Sequence, residues 1–108
     1  MKKEKSPFSD WVVKKALMIP PGRVTTYGRI ARAAGGGAQA ARSVTAILGK
    51  AYDRGITEIP FHRIVYSDGS IWVTPQYRKK RLELYKKEGI EIGPDGKIVN
   101  FKKILFEY

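Results

Sequence analysis

The chain has 108 residues, of which 43% are hydrophobic, enough to build the core of one compact domain but not of two. Its 21 Lys and Arg residues outnumber its 10 Asp and Glu residues, and the resulting formal charge of +11 favours a polyanionic partner, above all nucleic acid. The sequence contains no cysteine and a single histidine, which excludes disulfides, thiol nucleophiles and a multi-histidine metal centre.

Charge is unevenly distributed along the chain. No acidic residue lies between Asp10 and Asp53, whereas that stretch contains Lys14, Lys15, Arg23, Arg29, Arg32, Arg42 and Lys50. This segregation favours a basic stripe along a phosphate backbone over a mixed solvated surface. No apolar run approaches the roughly 20 residues of a membrane span, and no signal-peptide core follows the basic start. The sequence therefore predicts an intracellular protein without a membrane segment, cytoplasmic or nucleoid-associated if its source is a prokaryote.

The first half of the chain predicts three helices. Ser6-Pro7 is typical of a helix start, and helical spacing of apolar residues continues until Pro20-Pro21-Gly22 ends it. Thr26 is a candidate cap for a second helix over residues 27–34, and the three glycines that follow predict a turn. A third helix is predicted over residues 38–51.

The third predicted helix has two different faces. Its apolar face is predicted to be buried and consists of Ala40, Val44, Ile47, Leu48 and Ala51. The opposite face combines Ala38, Ala46 and Gly49 with one arginine, Arg42. With the preceding helix and the glycine turn this forms a helix-turn-helix candidate, and the small-residue face suits close approach to a DNA groove. The alternative is that another protein element packs on this face, which would bury Arg42 unpaired at a cost in free energy.

The second half alternates between extended chain and helix. Residues 59–66 and 71–73 flank the turn signal Ser67-Asp68-Gly69-Ser70, which predicts a hairpin-like reversal. A fourth helix is predicted over residues 74–88, ended by Gly89, and residues 90–92 and 97–99 predict a small two-stranded wing. These elements predict one domain, residues 1–108, of a mainly helical α/β class with a winged helix-turn-helix.

The segment Pro60-Phe61-His62-Arg63 contains the only histidine, His62. Glu88 is expected in the last turn of its helix, where a carboxylate opposes the helix dipole and needs a compensating donor. A pair between His62 and Glu88 would fix the imidazole tautomer. Equally, His62 can be a structural residue of an apolar segment, and Glu88 can meet one of the many lysines. The residues alone leave these alternatives open.

A series of motifs in this order resembles the DNA-binding domain of O6-alkylguanine-DNA alkyltransferases over roughly residues 8–92. The motifs are Ile-Pro-Pro-Gly-Arg-Val-Thr-Thr-Tyr-Gly-Arg-Ile-Ala (19–31), Ala-Ala-Arg-Ser-Val (40–44), Ile-Pro-Phe-His-Arg-Ile-Val (59–65) and Glu-Gly (88–89). The enzymes of that family carry Pro-Cys-His-Arg, whose cysteine accepts the alkyl group, and Phe61 stands at that position here. The chain is therefore most similar to the alkyltransferase-like proteins, in which an inert residue replaces the cysteine.

This resemblance implies a non-enzymatic protein that enters the minor groove, flips O6-alkylguanine out of duplex DNA and flags it for nucleotide excision repair. It implies a monomer without cofactor or metal, whose partners are double-stranded DNA containing the lesion and nucleotide excision repair proteins. Tyr27 would crowd the target phosphate, Arg42 would fill the vacated space in the duplex, and Phe61 would line the lesion pocket. His62 and Glu88 would be the remnant of a catalytic site with no thiol to activate.

Further site residues follow from the same resemblance. The implied DNA contacts are Thr26, Tyr27, Gln39, Ala41, Arg42 and Thr45. The implied lesion pocket is lined by Tyr27, Leu48, Phe61, His62, Ile64 and Trp72. Either Trp72 or Thr74 would replace the family's residue over the lesion.

The chain also departs from the family pattern. Ala51 stands about where the enzymes have an asparagine hinge, and the loop beyond Gly69 is shorter. One alternative is therefore a general DNA-binding winged-helix protein, architectural or regulatory, without a lesion pocket. In such a protein, core side chains around Phe61 fill the space that forms the lesion pocket in the family. An enzyme that uses Ser67 or a tyrosine is disfavoured, because neither hydroxyl matches a thiol as a nucleophile at neutral pH.

Overall fold

The computed structural model describes residues 7–37, 40–71 and 74–108. Its elements in chain order are α1 (Pro7–Leu17), β1 (Thr25–Thr26), α2 (Tyr27–Ala33), α3 (Ala41–Asp53), a 3-10 turn (Phe61–Arg63), β2 (Ile64–Val65), α4 (Arg78–Lys87) and α5 (Phe101–Ile104). The mainly helical class is confirmed, and so is the presence of a small β component. Within residues 7–37, 40–71 and 74–108, none of the helices combines the length and the apolar character that a membrane span requires.

The chain forms two units, and neither is continuous in sequence. Unit 1 consists of Met1–Met18, Tyr27–Pro60 and Tyr108, and unit 2 consists of Ile19–Thr26 and Phe61–Glu107. The sequence predicts one domain, residues 1–108, because it shows no linker, and this stays a prediction.

Unit 1 is built from α1, α2 and α3, which pack on one another. Each helix contributes apolar residues at helical spacing, so that each presents one buried face. Its core residues include Val12, Ala16, Ile30, Ala31, Val44, Leu48 and Ala51. The predicted helix-turn-helix is present as α2, the glycine turn and α3. On the outer face of α3, Arg42 and Ala46 are exposed, as predicted.

The predicted bounds of the third helix need correction. α3 ends at Asp53 rather than at Ala51, because its C-cap is Arg54 and the N–H of Gly55 donates to the carbonyl of Tyr52 at 3.0 Å. The signal that was missed is Gly55, which lies where a helix commonly stops. Ala38 and Gln39 lie outside the described residues.

Unit 2 contains a compact apolar core and a two-stranded sheet. The core is formed by Val24, Val65, Tyr85, Ile90 and Ile98. β1 and β2 pair in parallel, with Thr25 opposite Ile64 and Thr26 opposite Val65. This parallel pairing was not predicted, because strands of two residues show no alternating pattern and their partners lie far apart in sequence.

The predicted hairpin is wrong in its pairing although its turn is present. The N–H of Tyr66 donates to the carbonyl of Ser70 at 3.0 Å, which closes the turn. The chain leaving the turn pairs elsewhere, since Ser70 bridges Lys97 and the N–H of Ile71 donates to Gly96. Trp72 and Val73 lie outside the described residues.

The wing and the start of the fourth helix also differ from prediction. The wing consists of one bridge, between Ile92 and Ile98, around the predicted turn. α4 begins at Arg78 and not at Thr74, because the N–H of Tyr77 donates to the carbonyl of Thr74 at 3.0 Å and forms a separate turn. The Thr74-Pro75 signal therefore opens a turn that precedes the helix.

Gly69 is required by the turn that follows β2. Its φ is +85°, and an alanine Cβ there would lie 3.1 Å from Cγ of Phe101. We expect Gly69→Ala to lower the free energy of unfolding by about 2 to 3 kcal/mol in urea denaturation, because backbone strain adds to displacement of the ring. Gly96→Ala is the matched control, since Gly96 has φ +78° in open space. Gly96→Ala should lower the free energy of unfolding by about 1 kcal/mol. Equal losses for the two variants would contradict a contribution from the contact with Phe101.

Candidate functional site

The end of α4 fixes the position of Glu88. Glu88 is the C-cap residue, and Gly89 follows with φ +73°. The N–H of Gly89 donates to the carbonyl of Lys86 at 3.1 Å, and the N–H of Ile90 donates to that of Tyr85 at 2.8 Å. These two hydrogen bonds form a Schellman motif, and its usual apolar contact is supplied by Ile90 and Tyr85 in the core. The predicted role of Gly89 in ending the helix is confirmed.

The carboxylate of Glu88 accepts hydrogen bonds from three separate groups of unit 2. His62 Nε2 lies 2.7 Å from Oε2, so the predicted pair of His62 with Glu88 is present. Arg63 Nη2 donates to Oε2 at 2.7 Å, and Nε lies 3.1 Å from both oxygens. The N–H of Gly22 donates to Oε1 at 3.0 Å, and Arg63 Nη1 also donates to the carbonyl of Ile19 at 2.9 Å. We call these groups the Glu88 network.

Arg63 is the member of the Glu88 network that sequence reasoning missed. The sequence alone predicts His62 or a lysine as the partner of Glu88. The planar fork of an arginine matches a carboxylate in a way that a lysine cannot, and it can bind a carbonyl with its remaining donor. The available signal was Arg63 itself, which stands directly after His62 in the motif.

The protonation of the Glu88 network follows from its geometry. The Glu88 side chain is only 10% exposed, and burial alone would raise its pKa. Hydrogen bonds from Arg63, His62 and Gly22 outweigh burial and lower the pKa of Glu88 from 4.5 to about 2. Glu88 is therefore ionised at neutral pH and can only accept hydrogen bonds.

The tautomer of His62 is fixed by this charge. Burial lowers the pKa of His62 below its usual 6.5, against the opposing effect of Glu88. A neutral imidazole facing a carboxylate must carry its proton on Nε2, which leaves Nδ1 as an acceptor. His62 also packs edge-on to Tyr85, with ring centroids 5.9 Å apart. The network holds a neutral base in one orientation.

Two other predicted pocket residues of unit 2, Phe61 and Ile64, flank His62 and Arg63 in sequence. Phe61 opens the 3-10 turn and is half-buried. Ile64 begins β2 with only 2% of its surface exposed, so it offers little surface to a ligand in this conformation. Thr74 is half-buried, and Trp72 lies outside the described residues. Their roles in lesion recognition stay predictions.

In unit 1 the predicted DNA contacts differ in exposure. Arg42 and Thr45 are exposed on α3, and Ala41 and Tyr27 are half-buried at the starts of α3 and α2. Leu48 is fully buried in the core of unit 1, so it presents no surface to a ligand in this conformation.

Two further predicted DNA contacts fall elsewhere. Thr26 belongs to β1 of unit 2 and is 6% exposed, which makes it the least accessible of the predicted contacts that the structure describes. Gln39 lies outside the described residues. The DNA-binding roles of this set stay predictions.

Comparison with known proteins agrees with the predicted resemblance. Residues 7–90 match the family model for the 6-O-methylguanine DNA methyltransferase, DNA binding domain. The chain is 40% identical over 100 residues to a DNA base-flipping protein of Escherichia coli (strain K12), covering 91% of this chain and 73% of the relative. It is 35% identical over 80 residues to a DNA base-flipping protein of Vibrio parahaemolyticus, covering 74% of this chain and 77% of the relative.

A solved structure shows the same fold. The chain is similar to S. pombe Atl1, crystallised in complex with damaged DNA containing O6-carboxymethylguanine, with a TM-score of 0.74 and 25% identity. The match covers 98% of this chain and 100% of that one. This chain therefore belongs to the family of the 6-O-methylguanine DNA methyltransferase DNA-binding domain, among its alkyltransferase-like members.

Proposed function

We propose that this protein recognises O6-alkylguanine in duplex DNA by turning the damaged nucleotide out of the stack, and that it does not remove the alkyl group. The observation that carries this proposal is the Glu88 network, which holds His62 in a fixed tautomer directly after Phe61. Two relatives are named as DNA base-flipping proteins, and Atl1 binds DNA containing O6-carboxymethylguanine. These likenesses support damaged DNA as the ligand.

The lack of a nucleophile argues for recognition without repair. Transfer of an alkyl group needs an acceptor of high nucleophilicity, and this sequence contains no cysteine. Phe61 stands at the position that the resemblance assigns to the acceptor. A phenyl ring can contact an alkyl group or a base face by dispersion, but it cannot attack carbon.

In this proposal, the preference for damaged over undamaged DNA comes from the free-energy cost of flipping the nucleotide. Turning a nucleotide out of a duplex costs a few kcal/mol, and the cost is smallest where the base pair is already weakened. The exposed Arg42 on α3 would fill the space left in the stack. Contacts of other basic residues with phosphates would supply affinity that does not depend on damage.

Signalling to other repair proteins follows from the absence of turnover. A protein that binds a lesion and leaves it unchanged can act only through its occupancy of the site. We therefore include in the proposal that the bound protein flags the lesion for nucleotide excision repair.

Binding to a matched pair of duplexes tests this proposal. One duplex carries a single O6-methylguanine and its twin carries guanine, and fluorescence anisotropy at fixed salt gives both affinities. We expect a preference of at least about tenfold for the lesion, because that corresponds to about 1.4 kcal/mol of reduced flipping cost. The mass of the protein should stay unchanged after incubation. Equal affinities would support the general DNA-binding alternative, and a mass gain would show alkyl transfer.

A further inference from the structure

The outward face of α4 carries a dense set of lysines. The helix has the sequence Arg-Lys-Lys-Arg-Leu-Glu-Leu-Tyr-Lys-Lys, and its buried residue is Tyr85. At about 100° per residue, the side opposite Tyr85 holds four lysines around a single acid, Glu83. These four residues, Lys79, Lys80, Lys86 and Lys87, are all exposed, and we call them the α4 lysine cluster.

The first-turn cations do not serve the stability of the helix. The first turn of α4 contains no acidic residue and four basic ones, although the positive end of the helix dipole favours acids there. Arg78 and Arg81, three residues apart, add one like-charge pair that destabilises the helix by about 0.2 to 0.5 kcal/mol. A neutralising partner at the first-turn lysines would relieve their unfavourable interaction with the helix dipole.

No carboxylate forms an ion pair with the α4 lysine cluster in the described part of the chain, although Glu83 lies three or four residues from each of its lysines and offsets one of the four charges. The carboxylate nearest in sequence beyond α4 is Glu88, which is engaged by His62 and Arg63. The positive charge of this face is therefore available to a ligand.

The composition of the face favours phosphates over an acidic protein segment. Protein interfaces are enriched in aromatic residues and arginine and are depleted in lysine, whereas this face has four lysines, no aromatic residue and one half-buried apolar residue, Leu84. Contact with phosphates needs only placed cations. Lys79 and Lys86 lie seven residues apart, about 10 Å along the axis, which corresponds to about three nucleotides of one strand.

We propose that the α4 lysine cluster binds the phosphate backbone of duplex DNA regardless of damage, as a second contact in addition to the Arg42 face of α3. The inference rests on the proposed function, because it concerns the same ligand. Phosphate contacts of α4 would strengthen binding to damaged and undamaged duplexes by the same factor. The preference for the lesion would come from other residues.

The test compares two double variants that remove the same charge from unit 2. One is Lys79→Gln with Lys86→Gln on α4, and the control is Lys102→Gln with Lys103→Gln on α5, where both lysines are exposed. Affinities for the O6-methylguanine duplex and its undamaged twin are measured over a range of salt concentrations. The plot of log K against log salt should become less steep by about 1.8 for the α4 variant, because each phosphate contact contributes about 0.9.

The expected loss of affinity at 0.15 M salt is roughly 10- to 30-fold for both duplexes, with an unchanged ratio between them. The α5 control should change the slope much less. Equal changes in slope for both variants would assign the effect to net charge and overturn the inference. Unchanged DNA binding by the α4 variant would also overturn the inference, and an acidic protein would then be the favoured partner of this face. If the proposed function is wrong, the wild-type protein itself will bind both duplexes equally. This outcome differs from a failure of the α4 inference, which concerns only the variants.

Folding of the variants is checked by thermal denaturation. Glutamine keeps most of the helix propensity of lysine. Removing a cation from the first turn of α4 favours the helix, and removing one from the last turn disfavours it by a similar amount. The melting temperature should therefore change little, and the binding data can be interpreted directly.

Discussion

Replacing Arg42 with alanine is expected to weaken binding to an O6-methylguanine duplex by about 30- to 100-fold, or about 2 to 3 kcal/mol. Arg42 is exposed on α3, on a face where its neighbour Ala46 is small. If its guanidinium occupies the space left by the flipped nucleotide, the alanine variant leaves that space empty and the full cost of unstacking is restored. Binding to the undamaged twin should fall less, so the preference for the lesion should shrink as well.

Two further variants separate this role from charge alone. Arg42→Lys keeps the charge but loses the planar group, and it should recover only a small part of the affinity for the lesion. Lys102→Ala removes one exposed cation from α5 and should weaken binding to both duplexes by the same small factor. A loss for Arg42→Ala no greater than that for Lys102→Ala would exclude the proposed role of Arg42.

Replacing Glu88 with glutamine is expected to lower the free energy of unfolding at pH 7 by about 2 to 3 kcal/mol. The substitution removes the charge that Arg63 and His62 share at 2.7 Å, and it leaves the guanidinium partly buried without its counter-ion. The network also joins the segment of Ile19 and Gly22 to the end of α4 within unit 2. Urea denaturation measures the loss, which should be among the largest for a polar residue of this chain.

The same network gives the stability of the protein a defined pH dependence. The pKa of Glu88 is about 2 in the folded protein and 4.5 when unperturbed, so the folded state favours the ionised form. The stabilisation is fully present above pH 4.5 and is lost as the pH falls towards 2, with a total of about 2 kcal/mol after allowance for partial exposure. The unfolding curves of wild type and Glu88→Gln should therefore converge in acid.

Glu83 provides a matched control for Glu88. It lies on the same helix but is exposed and forms no ion pair with the residues that the structure describes. Glu83→Gln, which removes only helix-surface interactions with lysines three or four residues away, should therefore lower the free energy of unfolding by no more than about 1 kcal/mol at neutral pH. A Glu88→Gln variant with the same stability as Glu83→Gln, or one whose deficit persists unchanged at pH 2, would contradict the assigned charge state.

The helices could be predicted from sequence because local rules determine them. Periodic apolar residues such as Val44 and Leu48 predicted the buried face of α3, and Gly89 predicted the end of α4. The bounds were less accurate where two local signals compete. Thr74-Pro75 resembles a helix start but opens a turn, and Gly55 marks the end of α3 more reliably than the apolar pattern does.

Strand pairing was predicted poorly because it depends on distant residues. The two residues of β1 pair with Ile64 and Val65, and neither segment carries an alternating pattern long enough to identify a strand. The predicted hairpin and wing assumed pairing between neighbours in sequence. The structure instead pairs Ser70 with Lys97, and it reduces the wing to a single bridge.

The candidate site was predicted partly from residue chemistry and partly from family resemblance. An acid at the end of a helix needs a donor, which made a pair of His62 and Glu88 one of several alternatives before the resemblance was considered. The role of Arg63 and the backbone donor at Gly22 could not be inferred in the same way, because both depend on how the chain returns on itself. Placement of Phe61 at the acceptor position came from the motif alone.

The route of the chain through unit 2 has a consequence for its synthesis. The N–H of Val24 donates to the carbonyl of Ile104 at 3.0 Å, and the carbonyl of Val24 accepts from the N–H of Phe106 at 2.7 Å. These bonds join segments about 80 residues apart, so they cannot form until Phe106 has left the ribosome. Translation adds about 5 to 20 residues per second, so the segment around Val24 is synthesised roughly 4 to 16 s before its hydrogen-bond partners. During that interval the backbone of Val24 lacks the hydrogen-bond partners that it has in the folded chain, and chaperone binding at this stage should favour correct assembly.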